Sequence, residues 1–335
     1  MTGPGAGYRH RARLSVRPGG AGAELGIFEL GSHRLVSIPE CLVHHPSIRA
    51  LHELLARELE VHAVPAYDEA QHAGVLRAVQ MAVERSSGRV QLVLIVRDRL
   101  GPGSHARKLL GPLLSALSQA SELVHSVWLN AQPERTNTLL GERFEHVSGP
   151  PTVVDESGGV RVFYPPDAFG QANPALHDEA VRRIHAAVPA GARVVEFHAG
   201  VGTIGLGLCE RCSVGFNELG TGSLGGLALG IDALPASVAR PSVHAGPADA
   251  HVALLSHADF VVVDPPRKGL SVGLLEALMR DPPVRLAYLS CGLDSFLRDA
   301  ERLVETRLRL VSATAFGYFP YTEHIETLAF FERVD

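Results

Sequence analysis

From residue 172 onward one pattern repeats: helix over 174–187, strand 193–197, helix 203–210, strand 213–217, helix 221–234, strand 259–263, helix 273–280, strand 284–290, helix 294–305, and two closing apolar strands. A helix between two strands returns the chain to the same end of a sheet, so strands joined this way lie parallel. Runs such as Phe260-Val261-Val262-Val263 carry no polar alternation, as expected of strands covered on both faces. The expected fold class is α/β, with a mainly parallel, doubly wound sheet in this half of the chain.

The first half reads differently. Residues 1–7 are Gly-rich and are expected to be disordered. Residues 8–17 then alternate in the period of a strand, with Arg9, Arg11, Arg13 and Arg17 on one basic face. An amphipathic helix is predicted over 46–59, with Pro46 in its first turn, and a hairpin over 76–83 and 90–96 around Ser86-Ser87-Gly88. Gly149-Pro150-Pro151 breaks the chain, and a short hairpin turning at Gly158-Gly159 follows. Two domains are therefore expected, 8–150 and 151–335. No internal repeat is apparent.

At 335 residues and 46% hydrophobic content the chain can build two separate cores. Its apolar runs, such as Leu92-Val93-Leu94-Ile95-Val96, are too short to cross a bilayer, and no signal-peptide core precedes them, so a cytoplasmic location is expected and no membrane partner. Cys41, Cys209, Cys212 and Cys291 are too scattered for a disulfide framework, in keeping with a reducing compartment. The net charge of −5 gives no overall attraction for nucleic acid, so any such binding must use local patches. Lys108 and Lys268 are the only lysines among 31 basic residues; the guanidinium groups of the rest suit phosphate and base recognition, although genome composition explains that preference equally well.

Four constellations fall at predicted strand ends. Glu196-Phe197-His198-Ala199-Gly200-Val201-Gly202-Thr203 puts glycines where a strand meets a helix, which suits either a close-approaching ligand or a tight turn. Glu218, after the next strand, is placed to accept hydrogen bonds from ribose hydroxyls, which favours a nucleotide-like ligand. Asp249, in a loop, is a candidate for the adenine end or a solvated carboxylate. Asp264-Pro265-Pro266 follows the buried strand 259–263, where prolines stiffen the loop over the sheet edge. Leu289-Ser290-Cys291 ends another strand at the same edge, and Phe319-Pro320-Tyr321-Thr322-Glu323-His324-Ile325-Glu326 lies nearer the C-terminus.

Glycine turn, Asp-Pro-Pro, cysteine and carboxylate in this order resemble the RNA (uracil-5-)-methyltransferase family. The resemblance covers nearly the whole chain from residue 8. It implies a C-terminal class I methyltransferase (Rossmann-like) domain and an N-terminal mixed α/β RNA-contacting domain, whose segments are matched by Tyr8-Arg9-x-Arg11-Ala12-Arg13, Gly74-x-x-Arg77 and Trp128-Leu129-Asn130. It implies S-adenosylmethionine as cofactor, held by Gln171, His198, Gly200, Gly202, Thr203, Glu218 and Asp264, and RNA, tRNA or rRNA, as partner, held by Arg9, Arg11 and Arg13. No protein partner can be deduced.

The chemistry that goes with the resemblance is demanding. C5 of uracil is too weak a nucleophile to take a methyl group unaided, so a thiolate must first add at C6. A base must then remove the C5 proton so that the thiolate can leave. Cys291 matches the nucleophile and Glu326 the base, with Glu323 a nearby carboxylate and His324 expected to make a structural hydrogen bond. Three departures accompany the match. Gly292-Leu293 stand where the family has Asn-Pro, His198 where an aromatic residue is usual, and the family's small N-terminal barrel has no counterpart. Cys41 resembles the last of four cysteine ligands that several members use for an iron-sulfur cluster, but the other three are missing, so no cluster is expected, and Cys209-x-x-Cys212 reads as core packing. Two alternatives stay open: a methyltransferase of the same fold acting on cytosine, and a non-catalytic RNA-binding relative.

Overall fold

The computed structural model describes residues 1–20 and 22–334. The chain divides into two compact units, one of Ala6–Val153 and one of Met1–Gly5 with the chain from Val154 onward.

The smaller unit is built on a seven-stranded sheet. Its strands are β1 (Arg11–Gly19), β2 (Gly22–Phe28), β3 (Leu35–Ser37), β4 (Leu76–Val83), β5 (Val90–Val96), β6 (Val124–Ala131) and β7 (Arg143–Ser148), in the order β3-β2-β1-β4-β5-β6-β7. All neighbours are antiparallel except β5 and β6. Helices α1 (Pro46–Val61), α2 (His105–Leu109) and α3 (Gly111–Gln119) supply the remaining core. In β5, Val90, Leu92, Leu94 and Val96 point into one cluster by the period of two, and α1 adds Ile48, Leu51, Leu55 and Leu59 by the period of 3.6. The helix begins where Pro46 presets its first turn and the His45 ring accepts the Ser47 amide at 3.2 Å.

The larger unit opens with a hairpin, β8 (Val153–Ser157) and β9 (Val160–Tyr164), and continues through α4 (Pro174–Ala187), β10 (Arg193–Phe197), β11 (Ser213–Glu218), α5 (Thr221–Asp232), β12 (Ser242–Ala245), β13 (Phe260–Val263), α6 (Val272–Arg280), β14 (Arg285–Ser290), α7 (Leu293–Val304), β15 (Leu308–Phe316) and β16 (Glu326–Arg333). The sheet order is β12-β11-β10-β13-β14-β16-β15. Strands β10 to β14 run parallel, and β16 runs antiparallel to both its neighbours. From β10 the chain winds outward through β11 and β12, then returns to β13 on the other side. The switch point is thus the crevice between the carboxyl ends of β10 and β13, where open α/β sheets receive ligands.

The structure corrects two expectations. No α-helix forms over 203–210; only a short 3-10 turn, Leu206–Leu208, is present. Gly205 and Gly207 disfavour a helix and serve close packing, since a Cβ at 205 would stand 2.3 Å from Glu196 Oε2 and one at 207 would stand 2.3 Å from the Gly158 carbonyl. The start of the chain is ordered as far as Gly5 against the larger unit: the Met1 ammonium donates to the Ala315 carbonyl at 2.6 Å, and the Gly317 amide donates to the Met1 carbonyl at 2.8 Å. β15 is the edge of its sheet, and Met1 and Thr2 occupy backbone groups that the edge leaves free. The boundary between units falls after Val153, within the hairpin placed in the second domain.

Candidate active site

The crevice starts at the carboxyl end of β10. His198, Gly200 and Gly202 all take positive φ, at 60°, 58° and 85°. A Cβ on Gly200 would meet nothing within 4 Å, so the turn presents bare backbone to open space, whereas one on Gly202 would stand 2.7 Å from Leu227. Glu218, at the end of β11, clamps this turn. Its Oε2 accepts the Gly200 amide at 2.7 Å and its Oε1 the Gly220 amide at 2.6 Å. Each oxygen keeps a lone pair for a further donor.

Four other candidates are placed as follows. Burial holds the His198 imidazole below its ordinary pKa, so it is neutral near pH 7. Thr203 Oγ1 meets His177 Nε2 at 3.0 Å, which ties the turn to α4. Gln171 is half-buried two residues before Asn173, whose side chain caps α4 by accepting the Leu176 amide and donates to the Tyr318 carbonyl at 3.2 Å. Asp249, considered for the adenine end, instead accepts the Leu274 amide at 2.9 Å and the Ser271 hydroxyl, and so caps α6.

At the next strand end, Asp264 follows β13, its amide 3.4 Å from the Phe197 carbonyl. Its carboxyl is driven well above the ordinary range by removal from water, then by Glu326 and Glu218. Asp264 therefore lies within electrostatic reach of both ends of the crevice. Glu196, buried at the end of β10, is driven up in the same way, first by burial and then by Asp264. Sequence reasoning did not single it out as a site residue.

The second pair of candidates depends on the sheet register. β14 ends at Ser290, which pairs with Thr327 in antiparallel β16. Cys291 is the next residue after β14 and Glu326 is the first residue of β16, each adjoining that last pair, and the two groups lie within electrostatic reach of each other. Glu326 is only 2% exposed, and burial pushes its carboxyl up to about 7, with Arg267 opposing the shift. The half-buried Cys291 thiol is pushed up to about 11 by burial, then by Glu326 and Asp264, again opposed by Arg267. Arg267 is thus the cation that favours the charged form of both groups. Its signal in the sequence was its place directly after Asp264-Pro265-Pro266. Tyr318, fully buried beside this cluster, is also driven up by burial and by Glu326.

The candidates of the smaller unit are less uniform. Arg13 is exposed and donates to Gln80 Oε1 at 2.8 Å. Arg9 and Arg11 are half-buried, with Arg9 Nε donating to the Arg11 carbonyl at 3.0 Å. Arg77 builds a loop: it donates to the carbonyls of Gln132, Glu134 and Thr136 and lies 4.4 Å over the Tyr67 ring. Asn130 does the same for the turn before β7, exchanging hydrogen bonds with Gly141. All four cysteines are free thiols; Cys209 Sγ donates to the Gly205 carbonyl, and burial pushes it up to about 12, far from a reactive thiolate.

A family profile described as tRNA (Uracil-5-)-methyltransferase matches residues 251–334. An uncharacterized RNA methyltransferase of Protochlamydia amoebophila is 38% identical over 332 residues, spanning 98% of this chain and 86% of that protein. The chain belongs to the RNA (uracil-5-)-methyltransferase family. A second relative, an uncharacterized RNA methyltransferase of Parasynechococcus marenigrum, is 32% identical over 344 residues and covers 98% of this chain and 71% of its own. The fold is shared with the crystal structure of Pyrococcus abyssi tRNA (uracil-54, C5)-methyltransferase in complex with S-adenosyl-L-homocysteine, at a TM-score of 0.79 over 98% of this chain and 75% of that one, with 22% identity.

This family member is an S-adenosylmethionine-dependent RNA methyltransferase, and its crevice fits the cofactor. The bare backbone at Gly200 admits a close ligand, Glu218 offers acceptors beside it, and His198 Nδ1 in the same turn is a buried polar atom without a hydrogen-bond partner in the protein. No described helix is long and apolar enough to cross a membrane.

Proposed function

We propose that this methyltransferase acts on C5 of a uridine in tRNA through a covalent adduct between Cys291 and C6 of the ring. The observation that carries the reading is the pairing of Ser290 with Thr327, which brings Cys291, just after β14, within electrostatic reach of the buried carboxyl of Glu326. The tRNA named in the matching profile and in the structural neighbour supports that class of RNA over rRNA. Cofactor contacts are assigned to Gln171, His198, Gly200, Gly202, Thr203, Glu218 and Asp264, and RNA contacts to Arg9, Arg11 and Arg13. A cytoplasmic location belongs to the same reading.

Bound in the crevice, S-adenosylmethionine supplies an electrophilic methyl group. The protein's own groups do the rest. The Cys291 sulfur bonds to C6, and the electron pair of the C5–C6 double bond moves toward the C4 oxygen, leaving C5 nucleophilic. Once C5 carries both methyl and hydrogen, the Glu326 carboxylate takes that proton. The electron pair restores the C5–C6 double bond, and the C6–S bond breaks to return the thiolate.

Charge control follows from the shifts. A thiolate beside Glu326 and Asp264 is tolerable because both carboxyls hold their protons more tightly than in water. Addition to C6 turns the thiolate into a neutral thioether, so a negative charge beside Glu326 is removed before the carboxylate must act as base. Glu326 is among the causes of the Cys291 shift, so the two groups are electrostatically coupled.

The test uses tRNA transcribed with 5-fluorouridine, incubated with the protein and S-adenosylmethionine. A denaturation-resistant adduct carrying the methyl group should accumulate, because fluorine cannot leave as a cation. Cys291→Ala should form none, and Glu326→Gln should accumulate a methylated adduct on ordinary tRNA. An adduct that survives Cys291→Ala, or normal turnover by Glu326→Gln, overturns the assignment.

A further inference from the structure

The loops that carry the nucleophile and Arg267 are joined at one hydroxyl. Ser295, buried in the first turn of α7, places Oγ 2.9 Å from the Arg267 carbonyl and 2.9 Å from the Gly292 carbonyl. Gly292 is what lets these strand-end loops close on each other. A Cβ there would stand 2.6 Å from the Arg267 carbonyl oxygen and 2.7 Å from Ser295 Oγ, both closer than real contacts allow. The residue that departs from the family's Asn-Pro is therefore the residue the contact demands.

The same helix continues the hold along the loop after Asp264. Arg298 Nη2 donates to the Lys268 carbonyl at 2.8 Å. Asp299, wholly buried, accepts the Leu270 amide at 2.8 Å and the Tyr288 hydroxyl at 2.8 Å. Three successive attachments fix the backbone of 267–270 to α7, and only the first also reaches the turn after Cys291. Arg267 is the cation whose field favours both the Cys291 thiolate and the Glu326 carboxylate, so its placement matters to both chemical steps.

We propose that Ser295 is a positioning residue, which with Gly292 staples the Arg267 loop to the Cys291 turn and so keeps the guanidinium within electrostatic reach of the reacting pair. This rests on the reading of Cys291 as the nucleophile. Ser295 touches neither substrate nor cofactor in this role. It acts through Arg267, so its loss should change the reactivity of Cys291 and not the affinity for S-adenosylmethionine.

The experiment follows alkylation of the Cys291 peptide by iodoacetamide across pH 7–10, using mass spectrometry to separate it from the other three cysteines. In full-length Ser295→Ala the thiol should alkylate more slowly at each pH, and adduct formation with 5-fluorouridine tRNA should slow on the order of 10- to 100-fold. S-adenosylhomocysteine affinity by calorimetry should stay within about twofold, and Ser295→Thr should restore both rates. Gly292→Ala, which presses on the same contact from the other side, should reproduce the slow alkylation, and it serves if Ser295→Ala does not fold. Alkylation as fast as wild type or faster in a folded variant overturns the proposal, even where its melting temperature falls. Failure of the parent reading is separate: wild-type protein then forms no adduct, or forms one without Cys291.

Discussion

Cys291 and Glu326 adjoin the last pair between β14 and β16, Ser290 with Thr327, and that pairing brings the two candidate catalytic groups together. Glu326 itself is held within β16, paired with Phe316 of β15. Glu326→Asp should therefore withdraw the carboxylate by one methylene with nothing to compensate. Adduct formation should persist while release of methylated tRNA slows on the order of 100-fold, read as a burst of covalent complex followed by slow turnover. Unchanged turnover would mean the base lies elsewhere.

Stability should depend on pH through the same residue. The Glu326 carboxyl titrates at about 7 in the folded chain, against an ordinary value near 4.5. The folded state therefore keeps a proton that the unfolded state releases, and stability is highest at acidic pH and falls as pH rises through neutrality. Glu326→Gln abolishes this loss. The variant should be more stable than wild type by about 3 kcal/mol at pH 8.5 and nearly equal to it at pH 4.5. Urea unfolding at the two pH values is the measurement, and a constant difference would refute the buried, proton-holding carboxyl.

Glu218 has two duties, holding the Gly200 and Gly220 amides and facing the crevice. Glu218→Ala should weaken S-adenosylmethionine and S-adenosylhomocysteine by a similar factor, at least about tenfold, since the lost acceptors are common to both. Calorimetry on protein of native-like circular dichroism decides it. Equal binding by the variant would take Glu218 out of the cofactor site.

An acidic protein holds RNA only by local cations that release counterions. Arg13, the exposed member of its row, should account for about one unit of the slope of log affinity against log salt, and Arg13→Ala should lower the slope by about that much while leaving cofactor affinity alone. Arg9→Ala and Arg11→Ala, at half-buried positions, should reduce folding stability as well. Salt titrations of tRNA binding separate these effects, and an unchanged slope in all three would make the face a solvated surface.

What the sequence disclosed depended on how local the cause was. The parallel strands were legible because runs such as Phe260–Val263 are apolar without alternation, and the helix from Pro46 because its apolar stripe has a proline at its start. β12 escaped notice because Ser242–Ala245 lies at the sheet edge and buries little. Residues 203–210 read as a helix because they lie between two strands of an alternating pattern, while Gly205 and Gly207 answer to Glu196 and Gly158, partners distant in sequence. Composition alone made the chain start look disordered, since nothing local announces a strand edge waiting near Ala315. In the site, Cys291 and Glu326 were legible as residue types in a familiar order. Their apposition was not, because it requires knowing that β16 enters the sheet between β14 and β15. Ser295 carries no motif, and Glu196, although it opens the glycine turn, has no signal of its own there; their packing singles them out.

The place of β16 also bears on how the protein is made. A nascent chain that has emerged as far as β15 can have its cofactor crevice and its cysteine in place, but β15 cannot take its final position, because the strand that separates it from β14 has yet to arrive. Long-range insertion of this kind is a late event in assembly. A truncated chain lacking β16 would also lack Glu326, the candidate base, and would leave β14 an uncovered edge with no neighbour on that side.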